Sequence, residues 1–139
     1  WSSWKSNSER QKGLKMLELV GLADLAHRKA GLLPLGNLRR LEIARALTVG
    51  TRLILLDESF SGLRHEEITH LEALIRGIRD DGTAVLLIEH NMRVAMKLCD
   101  RLVVLDHGRK IAEGSPEAIR QDERVVEAYL GRKEAGNAA

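Results

Sequence analysis

The sequence predicts an α/β fold with parallel strands and flanking helices, and three observations predict it. Two short apolar runs, 52–57 and 84–88, each close on charged residues, Asp57-Glu58 and Glu89-His90. Between them Ile68, Leu71, Leu74, Ile75 and Ile78 recur at helical spacing. Beyond them, two strand-like segments flank Asp106-His107-Gly108-Arg109, the pattern of a β-hairpin. Continuous apolar runs of this length read as strands buried on both faces. Strand, helix, strand, helix is the alternation of a parallel sheet.

Taken in order, residues 1–12 are polar, carry two tryptophans and show no apolar period, so they read as a poorly ordered arm or the frayed start of a helix. Leu14, Leu17, Leu19, Val20 and Leu22 predict an amphipathic helix that ends near Gly21. Gly31, Pro34 and Gly36 mark a loop through Asn37. A second helix is predicted over 38–49, with Leu41, Ala44 and Leu47 on one side and Arg39, Arg40 and Arg45 on a solvated face. After the 65–79 helix, Asp81-Gly82 is a turn. Met92, Ala95, Met96 and Cys99 restore a helical period, with both methionines facing a core. Ser115-Pro116 predicts a helix start, serine as N-cap and proline at the first position. Val125, Val126, Tyr129 and Leu130 form a last amphipathic stretch, and the tail after Gly131 is expected to fray. The expected organisation is an arm (1–12), a helical piece ending in a loop (13–37), a core (38–114) and a helical extension (115–139).

Composition bounds the function. The chain has 139 residues, enough for one domain with a core. Charged residues make up 30%, but the net charge is only +2, so electrostatics give no argument for nucleic acid or an anionic membrane surface. The single cysteine, Cys99, supports neither an internal disulfide nor a zinc site and reads as a small buried hydrophobe in a cytosolic protein. No apolar run approaches the roughly 18–20 residues that span a bilayer, so a membrane role is expected to come through a partner. The chain opens on Trp1 rather than methionine, which suggests a processed or truncated start.

In parallel sheets, ligands sit at the C-terminal ends of strands. A carboxylate at such a tip, Asp57, is placed to hold a hydrated magnesium ion, which takes oxygen ligands and keeps several waters. The adjacent Glu58 can polarise a water for attack on a phosphate. His90, at the end of the second strand, can contact that phosphate and position the water. Each has an ordinary structural reading: Asp57 capping a loop, Glu58 solvated, His90 structural, Ser61-Gly62-Leu63 a plain turn. His27, His65, His70 and His107 read as surface residues, since no two of them share metal-ligand spacing with an acid partner.

The order and spacing of these features carry more than any one of them. Leu53 to Glu58 resembles the Walker B motif of ATP-binding cassette (ABC) ATPases, Ser61-Gly62-Leu63 the D-loop, and His90 the switch histidine. The run Leu33-Pro34-Leu35-Gly36-Asn37, with the following 38–47, resembles the signature motif and its helix. The hairpin through Gly114 continues the likeness, and Val125-Val126-Glu127-Ala128-Tyr129-Leu130-Gly131 resembles the C-terminal extension of the branched-chain amino-acid transporter subgroup.

The resemblance implies an incomplete P-loop NTPase core that uses ATP and Mg²⁺. It implies Asp57 as metal ligand, Glu58 and His90 as catalytic residues, and Gly36, Asn37, Ser61 and Gly62 as nucleotide-binding residues. It also implies a second ATPase subunit closing face to face, transmembrane permease partners, and a cytoplasmic location against the inner face of the membrane. The sequence departs from the family pattern in several places. No Gly-x-x-x-x-Gly-Lys-Ser/Thr loop occurs in it, and neither does the Q-loop glutamine. The signature serine position is Pro34, which offers neither hydroxyl nor N–H; Leu35, Asn37, Ser59 and Arg64 also differ. This chain alone is therefore expected not to bind ATP tightly or hydrolyse it, and to self-associate through uncovered apolar surface. The alternative is a split module that pairs with a complete subunit without a nucleotide site of its own.

Overall fold

The structure, a computed structural model, describes residues 7–130. The first half of the expected arm and the tail after Leu130 lie outside the described residues. The chain divides into two compact units between Ile88 and Glu89. That division falls inside the 38–114 stretch that the sequence suggested as one core.

The first unit opens with α1, Asn7–Leu19. Residues 7–12 are thus helical, the second of the two readings of this segment. The signal there is propensity rather than periodicity: Arg10, Gln11 and Lys12 are good helix formers, Glu9 lies in the favourable first turn, and no residue of α1 is buried. The helix ends as expected around Gly21, whose φ of +68° lets the chain close a Schellman turn. There the Gly21 N–H donates to Glu18 O (3.0 Å) and the Leu22 N–H to Leu17 O (2.7 Å), which buries Leu22.

Next comes α2, Leu35–Thr48. It starts three residues earlier than the periodicity predicts, because Pro34 stands at the N-cap with its carbonyl accepting from the Asn37 and Leu38 N–H groups, both at 3.0 Å. Gly36 and Asn37 therefore belong to the first helical turn and not to a loop. Nor are the arginines of α2 simply a solvated face. The Arg40 guanidinium donates to Val20 O (3.1 Å) and to Asn37 Oδ1 (2.6 Å), which ties the end of α1 to α2, while Arg39 pairs with Glu42.

Strand β1, Leu53–Asp57, pairs in parallel with β2, Ala84–Ile88, in the register Leu53↔Ala84 to Asp57↔Ile88. Between them runs α3, His65–Asp80, which closes on Gly82 as expected. Ile54 and Leu56 of β1 join Val20 and Leu22, Ile43 and Ala44 of α2, Phe60, and Leu71, Ile75 and Ile78 of α3 as the buried apolar residues of this unit. One expectation fails here. The run 52–57 is not buried on both faces: Leu53 and Leu55 of β1, with Leu86 and Ile88 of β2, stay about half or more exposed. An apolar run needs two covers, and among the described residues only one face of the pair has one.

The second unit contains α4 (Met92–Leu98), the antiparallel pair β3 (Leu102–Asp106) and β4 (Arg109–Gly114), α5 (Pro116–Gln121), a short α6 (Glu123–Val125) and a π-helical turn over Val126–Leu130. His107 and Gly108 both have positive φ, +47° and +75°, which makes the predicted hairpin turn type I′. The Asn91 side chain accepts from the Val94 N–H to cap α4, and Ser115 Oγ from the Ala118 N–H (3.3 Å) to cap α5. Ala95, Leu102, Val104, Ala112, Ile119 and Val125 form the core. Met92, Met96 and Cys99 pack on it half-buried, and burial pushes the Cys99 thiol pKa up, helped by Asp100. Tyr129 seals one end by donating to Leu105 O at 2.5 Å.

Candidate functional site

Asp57 is the last residue of β1 and is exposed, with Ile88 opposite it at the end of β2. Immediately after it the backbone turns left-handed: Glu58 has φ +47°. The turn is held on both sides, since the Glu58 N–H donates to Ile88 O (2.9 Å) and its carbonyl accepts from the Ser61 N–H (3.1 Å). A non-glycine residue in this region costs about 1–2 kcal/mol. The consequence is directional. Strand alternation stops at Asp57, and two adjacent carboxylates leave the sheet at its C-terminal end, both exposed.

Beside Asp57 lies a hollow of about 180 Å³ between α2 and β1, lined among others by Arg39, Glu42, Leu55, Asp57 and Ser59. Among the described residues, no group of three His, Cys, Asp or Glu side chains could hold a metal ion by itself. One exposed carboxylate at a strand end fits magnesium, which typically takes one or two protein carboxylates and fills its sphere with water and substrate phosphate. It does not fit a zinc or calcium cage.

The segments that resemble the D-loop and the signature motif come together within the first unit. Gly62 has φ +75°, and a Cβ there would sit 3.2 Å from Leu35 Cδ2, so the turn after Glu58 packs on the start of α2. Ser61 and Gly62 are exposed. Gly36 is buried, and its N–H contributes to the lowered pKa of a protein carboxylate, that of Glu67. Asn37 spends its side-chain oxygen on Arg40. His90 belongs to the second unit, exposed, just past Ile88 in the chain.

Two residues escaped sequence reasoning. Arg40 looks like any surface arginine, and only the fold brings Val20 O within its reach. Glu67 sits three residues after the N-cap Arg64, the spacing of a capping box. A donor-only arginine at the cap hid that pattern. The Glu67 carboxylate accepts from the Arg64 N–H (2.9 Å), from Arg64 Nε (3.3 Å) and from Arg64 Nη2 (3.4 Å). These bonds, the backbone one first, hold its pKa below the ordinary carboxylate range.

The chain is similar to known proteins. Residues 109–135 match the family described as branched-chain amino acid ATP-binding cassette transporter. The chain is 45% identical over 116 residues to the high-affinity branched-chain amino acid transport ATP-binding protein BraF of Pseudomonas aeruginosa, covering 83% of this chain and 46% of that protein. It is 42% identical over 116 residues, with the same coverage of each, to LivG of Escherichia coli, which carries the same description. The lipopolysaccharide export ATP-binding protein LptB of Haemophilus influenzae is 34% identical over 124 residues, 89% of this chain and 52% of that one. Among solved structures, an ATP-binding cassette of an ABC transporter in its ADP conformation superimposes with a TM-score of 0.84 at 31% identity, over 94% of this chain and 54% of that chain. The chain thus spans about half the length of the curated relatives it matches. Along most of its length the chain is thus similar to ATP-binding cassette proteins of ABC transporters, and most often to those described as branched-chain amino acid transport ATP-binding proteins.

Proposed function

We propose that this chain is the part of an ATP-hydrolysing importer subunit for branched-chain amino acids that bears the catalytic carboxylates. The observation that carries the reading is the strand end itself: Asp57 on β1 and Glu58 on a left-handed turn, in a chain 45% identical to a branched-chain amino acid transport ATP-binding protein. ATP with Mg²⁺, when bound, supplies the electrophilic phosphorus and the charge neutralisation. Asp57 holds the metal side of the site. Glu58 orients a water and accepts its proton, and the family resemblance gives His90, two residues after β2 in the chain, the role of positioning that water. Gly36, Asn37, Ser61 and Gly62 shape the face that meets a second ATPase subunit. The partners are that subunit and membrane permeases, which hold the protein against the cytoplasmic side of the membrane; among the described residues no helix is long and apolar enough to cross it.

The test uses the longest reading frame that contains this sequence. Glu58→Gln is expected to lower kcat for Mg-ATP at least about 100-fold while nucleotide binding persists. An unchanged kcat in this variant would overturn the catalytic reading in favour of a non-catalytic module that pairs with a complete subunit. The 139-residue chain by itself contains no Gly-x-x-x-x-Gly-Lys-Ser/Thr loop. Calorimetry on it should therefore detect no micromolar Mg-ATP binding, because the backbone cradle and lysine for the phosphates are missing.

The exposed face formed by Leu53, Leu55, Leu86 and Ile88 supports self-association of the chain on its own. Light scattering should show mass rising with concentration, and Leu55→Glu should shift the mass toward monomer. A monodisperse monomer at millimolar concentration contradicts this.

A further inference from the structure

The Glu67 carboxylate stands where two helices begin. It accepts from the N–H and guanidinium of Arg64 at the start of α3. The Glu67 side chain also lies against Gly36 at the start of α2, and the Gly36 N–H makes the smallest contribution to its lowered pKa. The approach is close: a Cβ on Gly36 would lie 2.7 Å from Glu67 Oε1 and 3.0 Å from Cδ and Cγ, a distance real Cβ atoms do not tolerate. Gly36 is not among the glycines with positive φ. What limits position 36 is therefore the Glu67 side chain and not backbone conformation: a Cβ there requires that side chain to move. Leu35, next to it, packs on Gly62, so the same two segments touch at a second point.

We propose that Glu67 is a positioning residue: one carboxylate, shared between the first turns of α2 and α3, fixes the signature turn against the exit of the D-loop. The charge suits the place, because both helix starts present N–H groups and the positive end of a dipole to it. Arg64, which departs from the usual acidic or amide residue, adds a cation beside the carboxylate and favours its ionised form. The proposal rests on the functional reading above only for its effect on turnover; the clamp itself lies within the first unit of this chain.

The experiment is amide hydrogen exchange on the isotope-labelled chain at neutral pH. Glu67→Ala is expected to speed exchange at both Gly36 and Arg64 by more than about tenfold, the loss of one charge-assisted bond. Glu67→Gln, which keeps one acceptor, should fall between Ala and the parent. Leu71 and Ile75 in the buried part of α3 should keep their protection, which separates loss of the clamp from loss of fold. Gly36→Ala supplies the decisive cross-check. Its methyl displaces Glu67, so a change in α2 should expose the Arg64 amide at the start of α3. Unchanged Arg64 exchange in Gly36→Ala, or unchanged Gly36 exchange in Glu67→Ala, overturns the proposal. In the longer reading frame, Glu67→Ala should lower kcat roughly tenfold and leave the KM for Mg-ATP nearly unchanged, as misplacement of a positioned group does. If that frame shows no ATP hydrolysis, the functional reading fails while the exchange result still decides the clamp.

Discussion

At Glu58 the chain accepts an unfavourable backbone conformation to turn a carboxylate out of the sheet. The left-handed φ of +47° is anchored by Ile88 O on one side and the Ser61 N–H on the other. Strain of this kind persists where surrounding bonds over-determine it, and it collects at functional sites. The prediction compares two truncations that both remove the side chain. Glu58→Gly should be more stable than Glu58→Ala by about 1 kcal/mol, because only alanine retains the Cβ penalty. Urea denaturation followed by circular dichroism measures the difference, and equal midpoints would mean that the turn relaxes on substitution. Asp57 and Glu58 were visible in the sequence as acids ending an apolar run. Glu67 and Arg40 were not, since their partners, Gly36 and Val20, come from other elements. No local pattern announces a bond across such a separation.

Elements differ in how plainly they declare themselves. The α3 period, the two apolar runs and the His107-Gly108 turn were each legible, because each depends on residues near one another in the chain. Boundaries were less so. The start of α1 rests on propensity without a buried face. That of α2 is set by a proline N-cap that places a glycine inside the first turn, where sequence rules expect a loop. In the second unit, α5 carries Ile119, about 1% exposed, into the core against the hairpin and α4. Ile119→Ala should cost about 2–5 kcal/mol through lost burial and the cavity it leaves. Amides of β3 and β4 should lose hydrogen-exchange protection accordingly; protection equal to the parent would show that this site collapses without cost.

Over the molecule as a whole, several carboxylates share one electrostatic habit. The Arg64 N–H and guanidinium depress the pKa of Glu67; Lys110 first and then Arg101 depress that of Glu113; Arg124 depresses that of Asp122. A folded pKa below the unfolded one means that the unfolded chain binds protons first. The stabilisation is therefore complete above the ordinary carboxylate range, near about 4, and is lost as pH falls through the lowered values. Urea midpoints should stay flat from neutral pH down to about 5 and then decline, with Glu113→Gln less stable at neutral pH and less sensitive to acid. A midpoint that rises on acidification contradicts the sign. These groups are solvent-facing, so salt should weaken the effect.

The sequence by itself determined the parallel pair, the hairpin and the strand-end carboxylates, and its motifs carried the family resemblance. The elements follow from side-chain periodicity, turn chemistry and the spacing of a few residues along one chain. The tertiary structure decided the rest. It turned Gly36 from a loop residue into a helical glycine pressed on Glu67, and joined α1 to α2 through Arg40. It divided the chain into two units at the end of β2, and left one face of an apolar sheet open. The physical reason is common to them. Periodicity records which side of an element is apolar, but what covers that side, and which distant donor meets which acceptor, is settled only when the elements pack.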